Sequence, residues 1–60
     1  MNHRRTAQLT RNHAESRAKY LESELWMLDG DPVLVEKYRA IARRYREIAA
    51  YIDLRLEKTP

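Results

Sequence analysis

The chain has 60 residues, with 12 Lys and Arg against 9 Asp and Glu, which gives a formal net charge of +3 at pH 7. Its length allows one domain, residues 1–60, and the lack of cysteine excludes disulfides and thiolate metal sites. So short a chain without such cross-links buries little apolar surface unless it associates with another chain.

No segment has the features of an export signal or a membrane span. The basic residues that follow Met1 do not lead into an apolar stretch, and no apolar run approaches the ~20 residues of a transmembrane helix. We therefore expect a cytoplasmic protein that does not act at a membrane.

The first predicted element is an amphipathic helix over about residues 5–28, capped at its start by Asn2 or Thr6. Its inward positions alternate spacings of four and three residues, the pattern of a packed helix face. These positions are Ala7, Arg11, Ala14, Ala18, Leu21, Leu25 and Leu28.

Residues 29–32, Asp-Gly-Asp-Pro, predict a sharp turn between two helices. Gly30 suits the left-handed conformation that often closes a helix, and Asp31 can accept a hydrogen bond from the free amides of the next helix. Pro32 fits the first turn of that helix, where its missing N–H is not needed. The sequence therefore predicts an all-α antiparallel helical hairpin.

The second predicted helix covers about residues 32–57 and carries two neighbouring apolar series with heptad spacing. We expect the first series to pack against helix one; it comprises Leu34, Tyr38, Ile41, Tyr45, Ile48 and Ile52. The second series is then predicted as a self-association interface through which two hairpins form a four-helix bundle; it comprises Val35, Ala42, Ala49 and Leu56. A helix of a different protein could cover that second series equally well.

A further patch on helix one indicates a possible partner-binding site. Tyr20, Trp26 and Met27 lie off the inward positions, and aromatic residues, Met and Arg are enriched in interface cores. Arg39, Arg43 and Arg46 of helix two could assist them. The alternative is that these aromatic and Met side chains complete the core of a dimer or cover the open end of the hairpin.

Basic side chains raise nucleic acid as an alternative partner, because clustered Arg neutralises phosphate. The candidate contacts are Arg4, Arg5, Lys37, Arg39, Arg43, Arg44 and Arg46. Acids share the outer surface of helix two with these residues, and such a mixed face is more often solvated and laced with ion pairs. A dimer of helical hairpins is similar in plan to a small RNA-binding plasmid regulator, an analogy of architecture that no motif here carries.

No constellation of residues indicates an enzyme. Ser16 and Ser23 are predicted on an exposed helix without a strained turn to present a nucleophile. His3 and His13 are too far apart for a shared metal, and the acids of the turn do not fit a calcium loop. We expect no catalytic residue, metal, cofactor or small-molecule substrate, and predict a small regulatory protein that binds another protein through a rigid helical surface.

Overall fold

The structure, a computed structural model, describes residues 3–58, and all regular structure in that range is helical. Helix α1 spans His3–Ser23, a 3-10 segment spans Leu25–Leu28, and helix α2 spans Pro32–Lys58. Hydrogen bonds join the start of α1 to the end of α2 and the end of α1 to the middle of α2, so the helices are antiparallel. The molecule measures 48 × 15 × 13 Å, and the predicted all-α hairpin is confirmed.

The face that α1 turns toward α2 is the one that the sequence predicts. Ala14, Ala18 and Leu21 are buried, with Ala18 completely inaccessible to solvent. The remaining predicted inward positions of this helix and of the 3-10 segment are half-buried: Ala7, Arg11, Leu25 and Leu28. Small residues at the centre of this face let the two helix backbones approach closely, which favours dense packing.

The start of α1 differs from the sequence prediction. The helix begins by His3, so Thr6 lies inside it and does not cap it. The hydroxyl of Thr10 donates to the carbonyl of Thr6 over 3.0 Å, a bond that forms within a helix. The other candidate cap, Asn2, lies outside the described residues.

The end of α1 also differs, because the helix does not continue unchanged to Leu28. The amide of Glu24 donates to the carbonyl of Leu21 over 3.2 Å, and the amide of Met27 donates to the carbonyl of Glu24 over 3.0 Å. Both bonds span three residues, as in a 3-10 helix, where positions i and i+3 align. Leu25 and Leu28 are therefore half-buried on one side, and the two residues between them are exposed.

The turn confirms the predicted role of Asp31 and corrects that of Gly30. Oδ1 of Asp31 accepts a hydrogen bond from the amide of Leu34 over 3.1 Å, so Asp31 caps α2. Gly30 does not have a positive φ angle. The amide of Asp31 instead donates to the carbonyl of Leu28 over 2.9 Å, so the chain leaves the 3-10 segment without a left-handed residue.

The face of α2 that meets α1 is the main correction to the sequence analysis. Ala42 and Ala49, predicted to face a second chain, are 2% and 6% exposed and lie inside the hairpin. Ile41 and Ile48, predicted to be inside, are each 46% exposed. The observed face is half-buried at its other positions, which are Val35, Tyr38, Tyr45, Ile52 and Leu56. It is rotated from the predicted face by roughly 45° at 100° per residue.

Packing explains this rotation. Tyr38 and Tyr45 pack against the core formed by Ala18, Leu21 and Ala42. Both apolar series of α2 contain suitable hydrophobic residues, but only the observed rotation sets alanine against alanine where the helices are closest and lets the tyrosines cover the sides. A branched Ile at the position of Ala42 would overfill that close contact. We call the buried face of both helices the hairpin interface.

Candidate functional site

One side of the hairpin interface is closed by ion pairs, and we call it the ion-paired flank. Nε of Arg11 on α1 lies 3.0 Å from Oδ1 and 3.3 Å from Oδ2 of Asp53 on α2. Nη1 of the same Arg11 lies 2.6 Å from a carboxylate oxygen of Glu15, one helical turn further along α1. A cation at a predicted inward position is thus held at the rim of the interface by two carboxylates.

A second pair lies nearer the turn on the same flank. Nε and Nη2 of Arg46 donate to the two carboxylate oxygens of Glu22 over 3.1 Å and 2.5 Å, a bidentate contact between the helices. The hydrogen bond from Arg46 lowers the pKa of Glu22 below its usual value of 4.5, and the same bond raises the pKa of Arg46. Arg46, predicted to contact a partner protein or nucleic acid, therefore already forms an ion pair within the chain.

Arg39 and Arg43 lie beside this pair and behave differently. They line an open depression of about 500 Å³ together with Glu22, Leu25 and Arg46. Both are exposed, and neither makes an ion pair or hydrogen bond within residues 3–58. The predicted row of three arginines thus contains two cations that face solvent and one that is neutralised.

The opposite side of the hairpin interface is apolar and open. Ile41 and Ile48 each precede a buried alanine of α2 by one residue, which places them on the side away from Arg46 and Asp53. Leu34 continues the seven-residue spacing toward the turn and is half-buried. Tyr51, 61% exposed, lies next to Ile48 in a depression of about 310 Å³. We call the surface of Leu34, Ile41, Ile48 and Tyr51 the apolar flank.

Cations border the apolar flank. Lys37 and Arg44 are exposed, lie seven residues apart on the same side of α2 as Ile41 and Ile48, and form no ion pair within the described part of the chain. Arg44 also lines the depression that contains Ile48, together with Glu47. On α1 the guanidinium of Arg17 lies 5.3 Å from the centre of the Tyr20 ring, a cation–π contact that leaves its charge in place.

The predicted patch of Tyr20, Trp26 and Met27 is exposed, at 53%, 76% and 56%. Their grouping as one patch assumes a continuous α-helix. The change to a 3-10 segment after Ser23 breaks that periodicity, because each residue there advances by about 120° and not 100°. Trp26 and Met27 thus project at the tip of the hairpin, and Tyr20 belongs to α1 beside Arg17.

The N-terminal arginines are engaged with the other end of the hairpin. Nη1 of Arg4 donates to the carbonyl of Leu56 over 3.3 Å, so Arg4 ties the start of α1 to the last turns of α2. Arg5 is exposed, and like Arg4 it has further contacts within the chain. A cation close to the last carbonyls of a helix also interacts favourably with the helix dipole.

Two observations bear on other site types. Within residues 3–58, no group of three or more His, Asp or Glu side chains is placed to hold a metal ion. Neither helix has, in its described residues, an apolar stretch of the length that crossing a bilayer requires.

The apolar flank is the functional candidate that sequence reasoning missed, because Ile41 and Ile48 were assigned to the core. The positions of the charged residues could have identified this flank from the sequence. Only when Ala42 and Ala49 face α1 do Arg46 and Asp53 reach Glu22 and Arg11 across the interface. Complementary charges beside a helix interface can therefore distinguish between two apolar series that hydrophobicity alone leaves equal.

Comparisons with known proteins give no relative for this hairpin: scans against protein-family models, curated proteins and solved structures each returned no match.

Proposed function

We propose that this chain is a small non-catalytic binding protein whose apolar flank packs against a helix of another protein. The observation that carries the proposal is the 46% exposure of both Ile41 and Ile48, two branched aliphatic side chains aligned along one helix. Apolar residues at such helical spacing are the anchors of helix-in-groove recognition. By covering or bridging a partner through this rigid surface, the protein would act as a regulator.

The total exposed surface supports a missing partner. The chain exposes 5070 Å² of accessible surface. A compact folded monomer of 7.2 kDa would expose about 4100 Å². The excess is similar to the ~800 Å² that each side of a standard protein–protein interface buries. A partner that buried a surface of that size would bring the hairpin to the exposure of a compact folded protein of its mass.

A second copy of this chain, the four-helix bundle favoured by the sequence analysis, fits the apolar flank less well. An antiparallel contact that sets Ile41 of one copy opposite Ile48 of the other places the two-fold axis midway between them. Arg44 of both copies would then lie next to that axis. Like charges brought together at an interface oppose association, so we favour a different protein as the occupant.

Nucleic acid is the second candidate partner, and the exposed cations favour it. Arg39 and Arg43 on one flank, and Lys37 and Arg44 on the other, carry charges that no acid neutralises within the described residues. Because these cations lie on opposite sides of α2, they do not form one continuous basic surface that could follow a phosphate backbone. A gel shift with a 20-nucleotide RNA and a matching DNA duplex at low salt would support this candidate.

The binding proposal can be tested with a designed peptide that has Leu at heptad positions and uncharged polar residues elsewhere. We expect calorimetry to show binding to the unaltered protein and at least a tenfold loss for the double variant Ile41→Ser and Ile48→Ser. Ile and Ser have similar helix propensity, so helicity should be kept. The matched control is Leu54→Ser, because Leu54 is 49% exposed and, at about 100° per residue, lies on a different side of α2 from Ile41 and Ile48. Equal binding by all three proteins would contradict the proposal.

A further inference from the structure

We infer that the helix recognised by the apolar flank is acidic, with carboxylates on the sides of its apolar face. This inference rests on the proposed function and identifies the class of partner. It is carried by the juxtaposition of exposed Ile41 and Ile48 with the exposed cations Lys37, Arg44 and Arg17. Arg17 precedes buried Ala18 by one residue, which places it on the side of α1 away from Glu15 and Glu22 and therefore on the same side of the hairpin interface as Ile41.

The cations closest to the hairpin interface have acid partners on one flank and none on the other, and this difference points to a partner. Arg39 and Arg43 also lack an acid within residues 3–58, but they lie on the side of α2 away from Ile41 and Ile48. On the ion-paired flank Arg11 and Arg46 are each matched by carboxylates of the chain itself. On the apolar flank Lys37 and Arg44 have no such match within residues 3–58, and Glu47 is the acid that shares a depression with Arg44. Complementary charge around an apolar centre speeds association and rejects partners of the wrong sign.

The spacing of the cations specifies where the partner's acids should lie. Lys37 and Arg44 are seven residues apart, or about 10.5 Å along the helix axis. A partner helix aligned with α2 would reach both with acids seven residues apart. Its apolar side chains would alternate with these acids along the helix and contact Ile41, between the two cations, and Ile48, one turn beyond Arg44. Arg17, on the neighbouring helix, would meet an acid on the other edge of the same partner helix.

The experiment uses three peptides with Leu at the same heptad positions. The first is the uncharged peptide described above, the second has Glu at the positions that flank the Leu residues, and the third has Lys at those positions. We expect the Glu peptide to bind at least about fivefold more tightly than the Lys peptide at 50 mM salt, because each exposed ion pair contributes modestly. The difference should disappear at 1 M salt, where charges are screened within about 3 Å.

Charge reversal assigns the effect to one flank. In the double variant Lys37→Glu and Arg44→Glu we expect the preference to reverse, so that the Lys peptide binds more tightly. The matched control is Arg39→Glu with Arg43→Glu, which makes the same change of charge on the opposite side of α2. A control variant that also reverses the preference would overturn the assignment of the acidic partner to the apolar flank.

The outcomes separate the inference from the proposed function. Binding of all three peptides with equal affinity, lost on Ile41→Ser and Ile48→Ser, would overturn the acidic partner and leave the protein-binding surface standing. Binding of none would overturn both. Light scattering that shows a dimer of the unaltered chain at low micromolar concentration, and a monomer after Ile41→Ser and Ile48→Ser, would make a second copy the occupant and overturn the acidic partner.

Discussion

The two flanks of the hairpin interface differ in whether both helices supply the side chains that cover them. On the ion-paired flank, side chains of α1 and α2 meet each other, as Arg11 meets Asp53 and Glu22 meets Arg46. On the apolar flank, Ile41 and Ile48 come from α2 alone, and the described residues of α1 present no equivalent apolar row. A hairpin of two helices can complete one side with its own residues, and the side that it leaves open is the place to look for function.

A negative charge placed at either of two adjacent positions of α2 tests which of them lies in the hairpin interface. Ala42→Glu buries a carboxylate without a partner in the hairpin interface and should destabilise the fold by about 3 kcal/mol or more, enough to unfold so small a chain. Ile41→Glu changes an exposed position and should leave the helices intact. Circular dichroism and urea unfolding of the two variants measure the difference.

The reverse result would restore the arrangement that the sequence predicted. If Ile41→Glu unfolds the protein and Ala42→Glu only changes its state of association, Ile41 belongs to the hairpin interface and Ala42 faces a second chain. The two substitutions differ by one position and introduce the same side chain, so helix propensity does not account for a large difference between them.

The sequence predicted the hairpin well because its strongest signals are local. Asp31 and Pro32 mark the start of α2, and the row from Ala14 to Leu21 has one plausible inward face. The rotation of α2 about its axis was harder to predict, because two heptad series lie side by side and differ mainly in which positions hold small residues. Choosing between them requires knowing how closely the backbones approach and which charges meet across the interface, and both are tertiary properties.

The candidate site followed from that rotation: the sequence identified its cations, but its isoleucines were predicted to lie in the core. Lys37 and Arg44 were already recognised as basic contacts. Their separation from Arg39 and Arg43 by the body of α2 emerged only once the buried face was known. Likewise, the ion pair between Arg46 and Glu22 joins residues 24 positions apart in the chain, and no local sequence pattern specifies it.

A substitution in the turn should stabilise the hairpin without changing either flank. Gly30 has no positive φ angle, and a Cβ atom added there would have no neighbour within 4 Å. Gly30→Ala should therefore raise the free energy of unfolding by about 0.4–1 kcal/mol, because it restricts the unfolded chain. Urea unfolding measures the gain.

Asp31→Ala is the matched control in the same turn. It removes the hydrogen bond that caps α2 and should lower the free energy of unfolding by roughly 1 kcal/mol. A loss of stability with Gly30→Ala would mean that Gly30 adopts the left-handed conformation that the sequence predicted, in which a Cβ atom is strained. Neither variant should alter peptide binding at the apolar flank.

The smallest expected effect concerns the pH dependence of the ion-paired flank. The hydrogen bond from Arg46 lowers the pKa of Glu22 in the folded chain below its usual value of 4.5. Because the unfolded state binds the proton more readily, the pair contributes stability above pH 4.5, and that contribution is lost as the pH falls through the lower pKa of the folded state. Since the two side chains are 45% and 43% exposed, the contribution is modest and should weaken further with added salt.

The test compares the unaltered protein with Glu22→Gln, which keeps the shape of the side chain and removes its charge. Thermal unfolding should show the unaltered protein as the more stable at pH 7, with the two curves converging as the pH falls below about 4.5. The apolar flank provides the contrast: Lys37 and Arg44 have no carboxylate to lose within the described residues, so Lys37→Gln should leave the pH dependence of unfolding unchanged. If Lys37→Gln reduces the loss of stability at acid pH as Glu22→Gln does, an acid of the chain already neutralises a cation of the apolar flank. The two flanks would then not differ in their ion pairing.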